Sequence, residues 1–500
     1  DKTGFIYPLV TAHKQVFLSR PRRFGKSLFL STLKYYFKGR KDLFNGLKIS
    51  ELEKDWTEYP VFHIEFNLEG YANLEALYQV LEKNLLKLEK IWGKETAEKT
   101  FAVRFAGLIE RAAQKSSKKV VVLVDEYDKP LFSTMHDDVL NDQMRTELKG
   151  FYGVLKAEDE HLRFVFLTGV TKFSQVSVFS DLNHLVDISM NKKYAQICGI
   201  SEAELLTNFR PDIENLATEN EMSVEETIDK LRHYYDGYHF AKQAEGMYNP
   251  FSLLNAFDML DFGNYWFETG TPTFLAEMVK NAKIDVPTLE KETRIAARSI
   301  MDYRYENKNP VPVLYQSGYL TIKSFDKERN QYVLGFPNEE VKYGFLEELV
   351  PIYFAKQDDF TEIDYNNFVD DLLDEQIDTF MERLKVFFSG FSYDLENKTE
   401  KHYQTVFYIL FALMGQRITV EPHYAVGRPD AVVEFKDKIF IFEFKMDGNG
   451  TAEDALKQID IKDYAGKFNL SDKKVFKIGV EMDNKKRNVK NWVYSPKKEE

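Results

Sequence analysis

The 500-residue sequence holds a single cysteine, Cys198. No disulfide can close within the chain and no cysteine-rich zinc site can be built, which fits a reducing cytoplasm. Long apolar runs are missing too. The strongest, Val406 to Met414, falls short of the roughly 18 to 20 residues of a membrane span and reads as a buried helix, so no membrane partner is expected. Net positive charge is also absent: 67 Lys and Arg stand against 80 Asp and Glu, a balance of -13. A chain coated with basic residues for gripping nucleic acid is thereby excluded, although local patches can act inside an acidic whole. Arg20, Arg22 and Arg23 form one patch; Lys485, Lys486, Arg487 and Lys490 form another, which reads equally well as solvated surface. The sequence opens on Asp1 with no methionine and no signal-like apolar stretch, as a trimmed chain would. Internal repeats and low-complexity tracts are lacking.

What is present describes folded domains. The apolar fraction of 44% and charged fraction of 29% are those of an ordinary globular protein, and 41 Phe and 28 Tyr favour filled cores over disorder. Five hundred residues exceed what one hydrophobic core serves, so two to four domains are expected.

The first two hundred residues alternate strand and helix. Gln15 to Leu18 is a short apolar run, Ser19 to Gly25 a loop, and Lys26 to Phe37 carries apolar residues at helical spacing. Val61 to Phe66 alternates like a strand, and Leu74 to Ile91 like a long amphipathic helix. Val120 to Val124 and Phe164 to Leu167 are continuous apolar runs, as in strands covered on both faces of a parallel sheet. Further on the pattern is helical, broken by turns at Asp236-Gly237 and Asn249-Pro250. Between Thr293 and Tyr353 two helix-like stretches are followed by the strands Gly318 to Ile322 and Tyr332 to Phe336, the pattern of a winged helix. An acidic stretch, Gln357 to Asp378, leads into the last domain. That domain reads as a helix (His402 to Met414), strands near Arg428 to Phe435, Lys438 to Phe444 and Val475 to Glu481, and a helix between the last two.

A phosphate-binding loop belongs between a strand and a helix, where backbone N–H groups, an ammonium and a magnesium-binding hydroxyl converge. Arg22, Arg23, Phe24, Gly25, Lys26, Ser27 and Leu28 occupy that place, with Lys26 for the phosphates and Ser27 for Mg²⁺. Arg20 stands where the usual motif begins with glycine, and Gly-Lys-Ser alone also describes a solvated helix start. The acids that end the next apolar strand strengthen the assignment: Asp125 can hold Mg²⁺ through water and Glu126 can orient the attacking water. Thr168, ending the following strand, is either a sensor of the γ-phosphate or a buried threonine satisfying a carbonyl. Arg22 and Arg23 could reach phosphate or a neighbouring subunit of a homo-oligomer.

The stretches RPRRFGKSLFLSTLKYYF, VVVLVDEYDKPL, FVFLTGVTKFSQVSVFSDLN, HYYDGYHF, YNPFSLLNAF and NYWFETGTPTFL together resemble the AAA-ATPase-like family of bacterial proteins, whose members commonly carry a C-terminal PD-(D/E)XK nuclease domain. The resemblance implies that arginine at position 20 is normal for this group, and that HYYDGYHF (His233, Asp236, His239) is a packed turn between helices rather than a metal site.

The C-terminal residues fit that implication. Asp430 opens one strand, and Glu443-Phe444-Lys445 closes the next. The period of two puts Glu443 and Lys445 on one face, within reach of Asp430. Asp430 and Glu443 are hard oxygen ligands for Mg²⁺ or Mn²⁺, and Lys445 can position or help deprotonate the attacking water. Glu400 could complete the metal shell or simply favour its helix dipole. Gln458 and Tyr464 resemble the Gln…Tyr signature of one nuclease branch, or else form a polar helix face.

The expectation is therefore an α/β multidomain chain: a P-loop AAA-like ATPase domain with a parallel sheet (1–235), a helical lid region (236–292), a winged-helix-like module (293–356) and a restriction-endonuclease-like nuclease domain (357–500). Its partners would be ATP, Mg²⁺ and DNA. The alternatives are a nucleotide-switched DNA-binding regulator whose nuclease-like fold is structural, and a scaffold with both sites vestigial; the full set of catalytic residue types argues against the scaffold.

Overall fold

The structure is a computed structural model that describes residues 1–67, 70–172, 185–268, 278–279, 282, 284, 286–290, 293–301, 309–353, 365–389, 400–413, 417–418, 430–435, 437–464, 473–483 and 488–496. The chain divides into two compact units, Asp1–Thr269 with Lys291–Val341, and Gly270–Glu290 with Lys342–Glu500.

The first unit is built on a five-stranded sheet. Its strands are β1 (Gln15–Ser19), β2 (Val61–Glu65), β3 (Val120–Asp125), β4 (Leu162–Gly169) and β5 (Leu185–Asp187), in the order β2-β3-β4-β1-β5, and every pairing is parallel. The apolar runs of β1, β3 and β4 are buried along their length, because crossover helices cover both faces of such a sheet. The helices Lys26–Phe37, Leu74–Trp92, Phe101–Ser116 and Asp138–Ala157 supply that cover, and the two expected from periodicity match to within a residue. The short edge strand β5 carries no apolar run long enough to mark it in the sequence.

β4 lies between β1 and β3 although it follows both in the chain. The register pairs Leu18 with Thr168, Ser19 with Gly169 and Val124 with Leu167. The carboxyl ends of three strands therefore meet at one level, which is where open α/β sheets bind ligands.

The middle of the chain is helical, as expected: Glu202–Asn208, Arg210–Glu219, Val224–Tyr235 and Pro250–Met259. Local chemistry sets the starts. Ser201 and Ser223 form capping boxes with Glu204 and Glu226, and the Asn249 side chain caps the helix begun by Pro250. The helix-like reading of the stretch from Thr293 is corrected at its start. Thr293–Ala296 is a strand, β6, not part of a helix; it pairs with β8 (Gln331–Gly335), which pairs with β7 (Thr321–Asp326). The antiparallel sheet β6-β8-β7 takes Ile295 into its buried side, so four residues too few for a helix are recruited by pairing. One helix, Val311–Ser317, precedes the hairpin and a second, Glu339–Tyr353, follows it.

In the second unit the strands β9 (Arg417–Ile418), β10 (Ala431–Glu434), β11 (Lys438–Met446), β12 (Lys474–Asp483) and β13 (Asn488–Ser495) form a mixed sheet of order β13-β12-β11-β10-β9. Only β11 and β12 run parallel, and the helix Ala452–Ile461 makes the crossover. Alternation along β11 sorts its side chains. Phe440, Phe442 and Phe444 enter a core with Phe380, Phe411 and Ile478; Ile439 and Ile441 face Ile459 and Tyr464 across the other side. Gly479 of β12 is what lets the crossover helix approach, since a Cβ there would lie 2.1 Å from the Ala452 carbonyl oxygen. The helix expected from His402 runs Glu400–Leu413. Arg428, Pro429 and the cluster Lys485 to Arg487 lie outside the described residues, as does Met414, and so do the first residues of the strand expected from Arg428. β13 has no counterpart in the sequence pattern, because its residues mix lysine and asparagine with the apolar positions.

Candidate functional site

The loop after β1 turns into the helix Lys26–Phe37 through two left-handed residues, Arg23 at φ 67° and Gly25 at φ 84°. Glycine takes that conformation at no steric cost; arginine does not. Gly25 is the N-cap, with no side-chain cap hydrogen bond. The first amides of the helix therefore stay available to a bound anion, as in phosphate loops. Lys26 is buried, and its ammonium donates to the carbonyl oxygens of Arg20 and Pro21 at 3.0 Å each. Burial pulls its pKa down while Glu126, Asp125 and Asp128 push it up.

Arg20 explains its own presence. It is 1% exposed, and its guanidinium donates to the carbonyls of Ser19, Ser189 and Tyr194 at 2.8–3.0 Å while lying 4.1 Å from the Phe240 ring centre. Where glycine would leave these carbonyls unpaired, the arginine satisfies them and ties the loop to the residues after β5. Phe24 is likewise a packing residue, edge-on to Tyr238 and Phe240. Ser27 and Leu28 are exposed. Arg22 lies over the Trp266 ring at 4.8 Å, and Trp266 Nε1 donates to the Arg22 carbonyl. Arg23 lies 5.0 Å from the Phe251 ring centre.

β3 delivers Asp125 and Glu126 to the same level. Glu126 sits at φ 52°, an unfavourable conformation for a non-glycine residue that persists only when its surroundings impose it. Asp125 Oδ1 and Glu126 Oε2 are buried and have no hydrogen-bond partner among the described residues. Burial raises the Glu126 pKa, against the pull of Lys26 and Lys129. Buried carboxylate oxygens without donors are costly, and a hydrated divalent cation with a nucleotide is a group that would satisfy them. The Thr168 hydroxyl donates to the Leu18 carbonyl at 2.9 Å and is fully buried, the bond that the packing alternative named.

The second centre lies on the face of β11 opposite its phenylalanines. Asp430 stands one residue before β10, next to the Ala431–Phe442 pair, and accepts from the Phe444 amide at 2.8 Å. Glu443 is 3% exposed. Its Oε1 accepts from Lys445 Nζ at 3.4 Å and from Gln458 Nε2, which lies 3.5 Å from the Tyr464 hydroxyl. Its Oε2 is buried without a partner among the described residues. Burial and the adjacent Asp430 push the Glu443 carboxyl up to about 7, with Lys445 opposing. A divalent cation fits this pair, since it would relieve both the repulsion and the unpaired oxygen. Among the described residues no group of three His, Cys, Asp or Glu is gathered as for a metal ion; the Glu400 side chain lies outside them. His233 and His239 turn their Nδ1 atoms to the carbonyls of Asp229 and Ala244, as a packed turn would.

Three residues at these centres escape a reading of the sequence. Asp128 would be taken for an N-cap before Pro130, but its side chain makes no cap bond. Glu481, one strand beyond Lys445 in register, and Lys490, which donates to it at 2.7 Å, are distant in sequence from any motif. No helix among the described residues is long and apolar enough to cross a membrane.

Comparison with known proteins places each centre within a matched family domain. Residues 1–179 match the family described as "Predicted AAA-ATPase", and residues 398–492 match the PD-(D/E)XK nuclease superfamily. A protein of Azotobacter chroococcum mcd 1, described as "Uncharacterized protein in vnfD 5'region", is 34% identical over 505 residues, covering 99% of this chain and 94% of its own length. The chain belongs to the AAA-ATPase-like family and carries a PD-(D/E)XK nuclease superfamily domain at its C-terminal end.

Proposed function

We propose that the chain binds and hydrolyses ATP in its first domain and cuts DNA with its last. In this reading the amides of Arg22, Arg23, Phe24, Gly25 and Leu28 line the phosphates, Lys26 meets the β- and γ-phosphates, and Ser27 and Asp125 hold Mg²⁺. Glu126 orients the attacking water, while the Thr168 hydroxyl, spent on the Leu18 carbonyl, is left to packing. At the other centre Asp430 and Glu443 hold Mg²⁺ or Mn²⁺, and Lys445 positions the water that attacks the phosphodiester. The cation, when bound, supplies charge neutralisation at the phosphate. The division into ATPase domain (1–235), helical region (236–292), winged-helix-like module (293–356) and nuclease-like domain (357–500) goes with it, and the middle module makes DNA the shared partner.

The observation that carries this reading is the same at both centres: buried carboxylate oxygens without partners among the described residues, Asp125 Oδ1 and Glu126 Oε2 at one, Glu443 Oε2 at the other. Such atoms cost stability wherever they are kept, as at Asp236 Oδ1 in the packed turn, and at these two centres they fall on the motif carboxylates. The test is supercoiled plasmid with Mg²⁺ or Mn²⁺, with and without ATP. Nicking by the wild type and none by Lys445→Ala support the nuclease, and ATP turnover lost in Lys26→Ala supports the nucleotide site. A second reading, a nucleotide-switched DNA-binding regulator, draws on the pair of carboxylates where a fuller metal shell would hold three. It wins if the protein shifts DNA in an ATP-dependent way but never nicks it.

A further inference from the structure

Asp128, three residues beyond the strand-end acid, is spent on a neighbouring strand rather than on a ligand. It is 2% exposed. Its Oδ2 accepts from the amides of Val170 and Thr171 at 3.0 and 2.5 Å and from the Thr171 hydroxyl at 2.7 Å. Val170 and Thr171 directly follow β4, whose last residues include Thr168. The latch is reinforced on both sides. The Tyr127 amide donates to the Thr168 carbonyl at 3.0 Å, and the Tyr127 hydroxyl to the Thr171 carbonyl at 2.9 Å. Gly169 leaves the room required, since a Cβ there would fall 2.2 Å from Asp128 Oδ1.

These bonds bracket Glu126. Its backbone must hold φ 52° to turn the carboxylate back towards the phosphate loop, a conformation that relaxes unless the following residues are pinned. Tyr127 and Asp128 are pinned, by five hydrogen bonds between them to the end of β4 and the two residues after it. A buried carboxylate committed to three donors costs desolvation, and packing alone would be served as well by an apolar residue of that size. The commitment is explained by what it holds in place.

We propose that Asp128 is the positioning residue for Glu126: its hydrogen bonds to Val170 and Thr171 join the ends of β3 and β4 and hold Glu126 in the left-handed turn from which it orients water. The inference rests on the proposed ATP hydrolysis at Lys26 and Glu126. Asp128 touches no reacting atom, so its loss lowers turnover without loosening nucleotide. A misplacement of about 1 Å at a reacting group costs up to roughly 100-fold in rate.

The experiment uses the full chain and reads ATP turnover, nucleotide dissociation constant and melting temperature together. Asp128→Ala is expected to lower kcat about 10- to 100-fold with the ATP dissociation constant within about threefold of wild type. Asp128→Asn keeps an oxygen at the Oδ2 position and is expected to restore kcat to within about fivefold of wild type. Should Asp128→Ala fail to fold, Thr171→Val, which removes one donor, is expected to lower kcat about three- to tenfold at unchanged affinity. The inference is overturned if Asp128→Ala, or Thr171→Val in its place, turns over ATP like wild type. Equal losses of affinity and kcat, or an Asn variant as slow as the Ala variant, overturn it too. Glu126→Gln separates this from the parent reading: if that variant is as active as wild type, the assignment of Glu126 falls and the inference falls with it. A slow Glu126→Gln beside a fast Asp128→Ala removes the inference alone.

Discussion

If Glu443 is kept for metal rather than for stability, removing its charge should strengthen the metal-free fold. The residue is 3% exposed, lies against Asp430, and has a carboxyl pushed up to about 7 from an ordinary 4.5. The folded state thus holds a proton that the unfolded chain releases at lower pH. The stability this gives is fully present below the unfolded value of 4.5 and is lost as pH rises through 7. By that linkage the ionised Glu443 costs about 3 kcal/mol at pH 8 and under about 1 kcal/mol at pH 5. Glu443→Gln keeps the shape and an oxygen for Gln458 but carries no charge. In EDTA at pH 8 the variant should melt about 6–12 °C above wild type for a unit of this size, while at pH 5 the two should nearly coincide. Scanning calorimetry at the two pH values reads this directly, in the transition that Mn²⁺ also moves. Millimolar Mn²⁺ should raise the wild type and leave the variant alone. A variant that melts with or below wild type at pH 8, or a gap of the same size at pH 5, would refute the reasoning.

Other perturbations follow from the same geometry. Arg20→Gly, which restores the residue usual in phosphate loops, should destabilise the first unit by about 2–4 kcal/mol in urea, because three carbonyls lose their donors; a neutral result would remove its structural role. Gly479→Ala places a Cβ 2.1 Å from the Ala452 oxygen and should cost about 1–3 kcal/mol, read as a lower melting temperature together with weaker Mn²⁺ protection, since the displaced helix carries Gln458. Gln458→Ala should leave the fold intact, weaken Mn²⁺ binding about 10-fold and slow nicking, as loss of a residue that orients a metal ligand does; unchanged affinity would make Gln458 a bystander.

Much of this architecture is legible in the residues themselves. Strands buried on both faces announce themselves as unbroken apolar runs, so β1, β3 and β4 and the helix Lys26–Phe37 can be placed closely. The candidate carboxylates can be named because they end apolar strands, and the period of two assigns Glu443 and Lys445 a common face. The order of the strands is not legible. That β4 intervenes between β1 and β3 is a matter of long-range pairing, and it decides that Thr168, Asp125 and the phosphate loop share one level. β6 escapes for a related reason: four residues have no periodicity of their own, and only pairing with β8 makes Thr293–Ala296 a strand.

Arg20 shows why a motif's exceptions are harder to read than its rule. Glycine at the start of a phosphate loop supplies conformational freedom, and a sequence with arginine there looks defective. The freedom is placed elsewhere in this chain, at Gly25 and at the left-handed Arg23. Position 20 instead continues β1, with its amide donating to the Gly169 carbonyl at 3.2 Å. A loop that begins one hydrogen bond later needs anchoring more than it needs flexibility, and a buried guanidinium with several fixed donors can anchor several carbonyls at once. The substitution is then part of how the loop is held, and it predicts a narrower range of tolerated residues at position 20 than glycine's usual role would suggest: lysine, with a single ammonium, should not replace it. Arg20→Lys assayed beside Arg20→Gly settles the point, since a lysine variant as stable as wild type would mean that charge alone, and not the fork of donors, holds the loop.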